Sequence, residues 1–522
     1  LSAGGEHAFR LGGQWVRQGQ DYDATARNPI LFFAWDRDMI AYGTNYGRGT
    51  YGYYGVRGND VAGPYGNFYK AFSNRWAFFI QDSWTVMDKL TINVGVRTES
   101  EYVPSYATGR PEFEDLVPID FGFEDKIAPR FGFVYDVFGD STLKVFGSLS
   151  WYQDVVKLNL PAGSLGGVRW RSAYYTLDTY EWDTIGVNNY FPGTLLIPEY
   201  PYCLDFRAPS FDTCNPDMEP MSMREISFGA EKKLMEDLSV SVRVINKDLL
   251  WAIEDIGVLY PDGEHYYITN PGGTYIEEKY AEARANGLIP AAAPDCPKAT
   301  RNYWGVNLAL DKRFSNNWMG GVSYTWSRLW GNYNGLASGD EIGRTDPNTE
   351  RYFDVWYLSY DNNLDVSNGL LPGDRTHYFK AYGSYTLPFG LTFGAIVNAY
   401  SGSPSSTEWN LDYEGYLPFG RNDLGRTPFM VFANAYVAYE FKMGKNSFTI
   451  NLNVDNVFDT KTAQRIFSTY NQDNVPVPED VIAAGPWDIN DYPDDLVLDP
   501  RYNQKMTFFA PISARVGLRF AF

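Results

Sequence analysis

The sequence predicts an all-β fold: a transmembrane antiparallel β-barrel with short turns at one end and long loops at the other. Three observations point there. Apolar and polar residues alternate strictly over many short stretches. Short and long connections alternate along the whole chain. The composition is polar on average yet aromatic, with a mean hydropathy of −0.35 and 40 Tyr, 34 Phe and 15 Trp in 522 residues. A wall that shows lipid only every second residue has that composition, because no window of it scores as a spanning segment. No apolar run approaches the roughly 18 residues of a membrane helix.

The alternation defines the strands. Leu90, Ile92, Val94 and Val96 alternate with Thr91, Asn93, Gly95 and Arg97. Leu238, Val240, Val242 and Val244 do the same, as do Phe448, Ile450, Leu452 and Val454. At the end of the chain Ile512, Ala514, Val516, Leu518, Phe520 and Phe522 alternate with Ser513, Arg515, Gly517 and Arg519. A period of two puts one set on each face of a strand, whereas a helix would scatter them.

Short turns are expected at Met87-Asp88, Gly139-Asp140, Glu236-Asp237, Asn316-Asn317, Phe389-Gly390 and Gly444-Lys445. They join hairpins near 73–101, 126–155, 222–257, 299–335, 375–408 and 428–462. Single strands near 5–18 and 506–522 bring the total to about 14. The long connections are 19–72, 102–125, 156–221, 258–298, 336–374, 409–427 and 463–505. A sandwich has no reason to alternate in this way; a membrane barrel does. Residues 1–522 therefore read as one barrel domain, despite a length that suits several ordinary domains.

Charge narrows the partners. The net charge is −20 and the pI about 4.7, which disfavours phosphate-led nucleic-acid binding. Three His and three Cys are too few for a zinc or disulfide scaffold. His7, His265 and His377 have no Cys or Asp at motif spacing, and no phosphate loop or nucleophile elbow appears, so no enzyme is expected. The chain begins at Leu1 without a signal peptide, which suggests processing or a fragment.

Several phrases carry a family resemblance. Trp76-Ala-Phe-Phe-Ile-Gln-Asp-Ser-Trp84 followed by Lys89-Leu-Thr-Ile-Asn-Val-Gly-Val-Arg97 is similar to a hairpin of TonB-dependent outer-membrane receptors. Ala128-Pro-Arg-Phe-Gly-Phe-Val-Tyr-Asp136, Asp311-Lys-Arg-Phe-Ser315 with Val322-Ser-Tyr-Thr-Trp-Ser327, and Asp455-Asn-Val-Phe-Asp459 resemble later hairpins in the same order. Leu387-Pro-Phe-Gly390 followed by Tyr400-Ser-Gly-Ser-Pro404 resembles the Oar-like subgroup. Phe520 and Phe522 match a C-terminal signal for the barrel assembly machinery.

The resemblance implies a 22-stranded barrel with an N-terminal plug and a TonB box. This sequence has neither plug nor box, so its strands would be the last 14. The alternative is a self-sufficient 14-stranded channel. The resemblance further implies a bacterial outer-membrane location among lipid and lipopolysaccharide, with loops outside. A ligand (peptide, sugar or metal chelate) would bind those loops and be imported with energy from the TonB–ExbB–ExbD motor. The competing expectations are an adhesin or envelope scaffold, and a passive channel.

Candidate sites lie in the long loops. Trp170, Tyr174, Tyr175, Tyr180 and Trp182, with Tyr190, suit ligand stacking or packing of the loop on itself. Cys203 and Cys214 are expected to form a disulfide worth about 3 kcal/mol, leaving Cys296 over. Acids crowd 336–374 and 463–505; Asp488, Asp491, Asp494 and Asp495 are weak calcium candidates, a solvated surface being the simpler reading, and no other cofactor is expected. Trp76, Trp84, Trp151, Trp318 and Trp326 fit an interfacial girdle. On the lumen side Arg97, Arg243, Arg515 and Arg519 call for acidic partners or water.

Overall fold

The structure, a computed structural model, describes residues 4–23, 30–41, 44–59, 68–105, 115–158, 170–197, 213–260, 263–335, 351–411, 414–472, 482–485 and 497–522. Among these residues fourteen long strands form the main path of one antiparallel sheet, each pairing with the next. They are β1 (Glu6–Asp23), β2 (Phe68–Val86), β3 (Leu90–Val103), β4 (Ile127–Asp136), β5 (Leu143–Gln153), β6 (Ser222–Met235) and β7 (Leu238–Trp251). Then follow β8 (Arg301–Ser315), β9 (Trp318–Gly331), β10 (His377–Thr386), β11 (Leu391–Tyr400), β12 (Met430–Met443), β13 (Asn446–Asp455) and β14 (Ser513–Ala521). Short strands Ile119–Phe121 and Gly369–Leu370 add to β3 and β9. The six expected hairpins are all present, and β1 runs to Asp23 rather than 18.

Turn chemistry explains the register. Asn316 and Asn317 both have positive φ (48° and 68°), as do Met87 and Asp88 (50° and 55°). Two successive left-handed residues match the twist of a hairpin. Asn tolerates that conformation because its short side chain can bond locally.

The two faces differ as the alternation requires. Val94 is 52 % exposed on the outer face of β3. Its neighbour Asn93 accepts from Ser83 Oγ at 2.6 Å on the other face. That inner face continues as polar pairs: Ser148–Ser227 at 2.7 Å, Asn307–Thr325 at 2.9 Å and Thr386–Thr392 at 3.1 Å. Three of the inner arginines find acids of the wall itself: Arg97 with Glu99, Arg243 with Glu225, and Arg515 with Asp455. His7 meets Asp82 at 2.7 Å and stacks on Trp84, and His377 bonds Tyr324 at 2.8 Å.

The sheet does not close on itself: among the described residues β1 and β14 are not paired with each other. Outward residues on these two strands stand correspondingly open, Leu11 at 79 % and Val516 at 72 %, against 38 % for Leu452 on β13.

Among the described residues the largest hydrophobic core is built mainly from the loops, with the loop-side ends of some wall strands. It gathers Val103, Ile119 and Phe121, then Val156 and Met218, then Ile256, Ile268, Ile276 and Tyr280, and on to Trp356, Leu358, Trp409, Tyr416 and Ile482. The segments expected to be plain loops thus fold against one another. One contains a helix, α1 (Thr274–Ala285), whose Ile276, Tyr280 and Ala283 face this core at helical spacing. Strand pairs Glu254–Tyr260 with Gly263–Thr269 and Trp409–Leu411 with Glu414–Tyr416 supply more of it.

Candidate ligand-binding surface

A second, separate folded unit is built from two distant loops. Strands Ile30–Trp35, Gly52–Asn59 and Trp170–Leu177 form a three-stranded antiparallel sheet, with Gly52–Asn59 in the middle. Aromatic side chains cover both faces. On one face Tyr174 packs with Phe32, Tyr53, Met39 and Ile197. On the other Tyr54, fully enclosed, stacks on Tyr175, which stacks on Phe191. Tyr54 Oη donates to the Pro192 carbonyl at 2.5 Å, and burial raises its pKa. Gly52 has φ +130°, and a Cβ there would lie 2.0 Å from the Ala34 carbonyl oxygen, so the strand pairing requires glycine.

Asp178 ties the two loops together. Its Oδ1 accepts from the Thr50 amide at 2.7 Å and from Thr50 Oγ1 at 3.1 Å, and its Oδ2 accepts from Thr176 Oγ1 at 2.7 Å. These bonds, led by the Thr50 amide, hold its carboxyl below the ordinary range. The depressed value means that the stabilisation is complete above the ordinary carboxylate pKa and is lost as pH falls through the folded one. We expect Asp178→Asn to loosen this unit by roughly 1 kcal/mol, since the carboxylate is solvent-exposed. Limited proteolysis across residues 44–59 checks it: the variant should be cut faster at neutral pH, and the wild type should approach it only in strong acid.

The expected stacking residues divide sharply. Tyr174 and Tyr175 are spent on packing. Trp170 heads its strand opposite Asn59. Tyr180 and Trp182 stand out at 68 % and 55 % exposed. They belong to a ring series the sequence reading missed. Tyr180 stacks on Trp35 (5.9 Å, 17°) and touches Tyr51 (4.0 Å), while Trp35 stacks on Phe33 and Trp182 meets Phe33 edge-on. Exposed Glu181 and Asp183 interleave with the rings, and Asp36 and Asp38 share Arg48 nearby. Rings among carboxylates can stack on planar or CH-rich groups and attract cations. The missed partners, Phe33 and Trp35, were visible only as members of an apolar run; nothing in the sequence brings 30–35 beside 180.

The other candidates fare differently. Cys214 is a buried free thiol that donates to the Pro118 carbonyl at 3.0 Å, which gives no support to the expected bridge; Cys203 lies outside the described residues. Cys296 is likewise free and buried. Burial pushes both thiols up to about 12, so neither is a reactive thiolate. Asp488, Asp491, Asp494 and Asp495 lie outside the described residues. Among the described residues no three His, Cys, Asp or Glu are placed to hold a metal ion. Asp374, counted with the acidic segment, is buried and structural: it accepts from the Leu329 amide at 2.6 Å and pairs with Arg426 at 2.5 Å. Phe520 and Phe522 stack at 6.2 Å at the end of β14.

A wall of antiparallel strands, apolar outside and polar inside, crowned by folded loops, defines a membrane-spanning β-barrel protein. Residues 121–403 match the outer membrane beta barrel domain family, and the chain belongs to that family, in the bacterial outer membrane. It is 25 % identical to the TonB-dependent transporter Oar of Myxococcus xanthus over 98 % of its own length and 47 % of that protein's. The chain therefore spans about half the length of this relative. Among solved structures it is similar to the outer membrane transporter YddB from Escherichia coli (TM-score 0.48, 10 % identity, 88 % of this chain and 52 % of that one). It is also similar to the siderophore receptor PiuA from Acinetobacter baumannii (TM-score 0.45, 11 % identity, 90 % and 51 %).

Proposed function

We propose that this chain is the C-terminal wall and loop cap of a TonB-dependent outer-membrane receptor. A ligand binds the loops outside the cell and crosses through the barrel with energy from the inner-membrane TonB complex. The observation that carries the reading is the lipid-facing wall joined to folded loops, together with the likeness to Oar over nearly the whole chain. The unpaired edges of β1 and β14 support further strands beside them; a plug is what the likeness to the transporter family implies. A dry lumen holding charged side chains would be costly, so a wet or plugged interior is expected. The chain's other partners are outer-membrane lipid and lipopolysaccharide, and the barrel assembly machinery acting on Phe520 and Phe522.

Within this reading Trp35, Tyr180 and Trp182 contact the ligand. Each exposed ring stack is worth about 0.5–1.5 kcal/mol beyond area burial. Tyr180→Ala with Trp182→Ala should therefore weaken ligand capture about tenfold or more while barrel assembly stays normal. Uptake by energised cells, with and without a protonophore, tests the whole: a null mutant that keeps normal uptake but loses surface attachment would make the protein an adhesin instead. A passive 14-stranded channel would need β1 paired with β14, and among the described residues these strands are not paired.

A further inference from the structure

The three-stranded loop sheet has one covered edge and one open one. On the strand Trp170–Leu177, the Thr176 amide donates to Thr194 and the Tyr174 carbonyl accepts from Leu196, so residues 194–196 cover that side. Antiparallel strands turn alternate residues to opposite sides. With 174 and 176 outward, 175 and 177 face the middle strand, and the registry carries the alternation across the sheet. The Asp36 amide, donating inward to Tyr51, gives the same phase. Leu31, Phe33 and Trp35 therefore point their amides and carbonyls away from the sheet, and among the described residues no strand pairs with them.

Within the strand itself, and among the described residues, the usual protection of an edge is missing. The segment Ile30-Leu-Phe-Phe-Ala-Trp35 contains no charge, no proline and no bulge. The other strand pair of comparable length in the loops, Glu254–Tyr260 with Gly263–Thr269, is buried in the main loop core. Beside the open edge stand the exposed rings of Trp35, Tyr180 and Trp182, with the carboxylates of Glu181 and Asp183.

We propose that the strand Ile30–Trp35 receives an extended, neutral-to-basic peptide segment as a fourth strand. Backbone pairing at residues 31, 33 and 35 supplies the affinity. The rings and acids select apolar and cationic side chains. Charge complementarity decides the occupant: a second copy would bring the same acids, on a chain of net charge −20, against this edge. The inference rests on the proposal that these loops face outward, and it names the class of ligand.

The test uses the native protein purified from outer membranes in detergent. The probe is a short fluorescent peptide of alternating lysine and valine, read by anisotropy. Binding should be abolished when the peptide is N-methylated along one edge. Leu31→Pro removes one outward amide from an edge strand, where proline is tolerated. Leu31→Ala loses the same packing and keeps the amide. Binding should fall at least tenfold in Leu31→Pro relative to Leu31→Ala. Equal behaviour of the two variants, undiminished binding of the methylated peptide, equal binding of a glutamate-valine peptide, or no binding at all overturns the proposal. So does self-association lost in Leu31→Pro, which assigns the edge to a second copy. Labelling Val187→Cys on intact cells with a membrane-impermeant maleimide tests the outward orientation separately, so a failure there is not confused with a failure of strand addition.

Discussion

Replacing Lys126 with alanine is expected to destabilise the folded protein by about 3–5 kcal/mol, because it removes the cation shared by two buried carboxylates. The ammonium is fully enclosed, 2.9 Å from Glu99 Oε1, 2.8 Å from Glu101 Oε2 and 2.7 Å from the Asp154 carbonyl. Glu101 is completely buried and also accepts from the Val156 amide at 3.1 Å. The cluster joins the top of β3 to the start of β4 and the end of β5. Removing the cation leaves Glu101 buried without its counter-ion, while Glu99 keeps Arg97 at 3.3 Å. The triple replacement Lys126→Met, Glu99→Gln, Glu101→Gln removes all three charges and should cost much less. Urea midpoints of the purified protein check this, and equal losses for the single and triple variants would show that packing, not charge, holds the site.

Val94→Arg is expected to cost about 2–4 kcal/mol, the depth-dependent penalty of a cation on the lipid face. Asn93→Arg should lose only the bond to Ser83 and cost about 1 kcal/mol, because its side chain reaches the polar interior. The two positions are adjacent, so strand propensity and depth are nearly matched and the difference isolates facing. The yield of heat-modifiable barrel in membranes reads it. Similar yields for both variants would mean that the face assignment of β3 is wrong.

The wall was legible because each level repeats the same message. Alternation in β3, β7, β13 and β14 is a local signal, and dipeptides such as Asn316-Asn317 carry the turn geometry in their own chemistry. The loops were not, because their order comes from tertiary packing. The helix α1 has Glu277, Glu278, Lys279, Glu282 and Arg284 among its twelve residues and reads as a solvated stretch; only the neighbours of Ile276 and Tyr280 make it a buried element. The aromatic residues of 170–190 are visible in the sequence, yet which of them pack and which stay exposed could not be told apart. Tyr174 is spent on Phe32 and Tyr180 leans on Trp35, partners more than a hundred residues away in sequence. Acid content misled in the same way, since an aspartate clamped by Arg426 looks identical in sequence to one in water.

The small loop sheet also has a history written into its connectivity. Asn59 must find Trp170, and four wall strands, β2 to β5, lie between them. Closing so long a gap in a free chain carries an entropic cost that neighbouring hairpins do not face. Once those four strands are zipped together the gap has already been shortened for it. The sheet should therefore be among the last parts of this half of the molecule to form. Amide protection at Tyr54 then serves as a timestamp for the completion of β2 to β5.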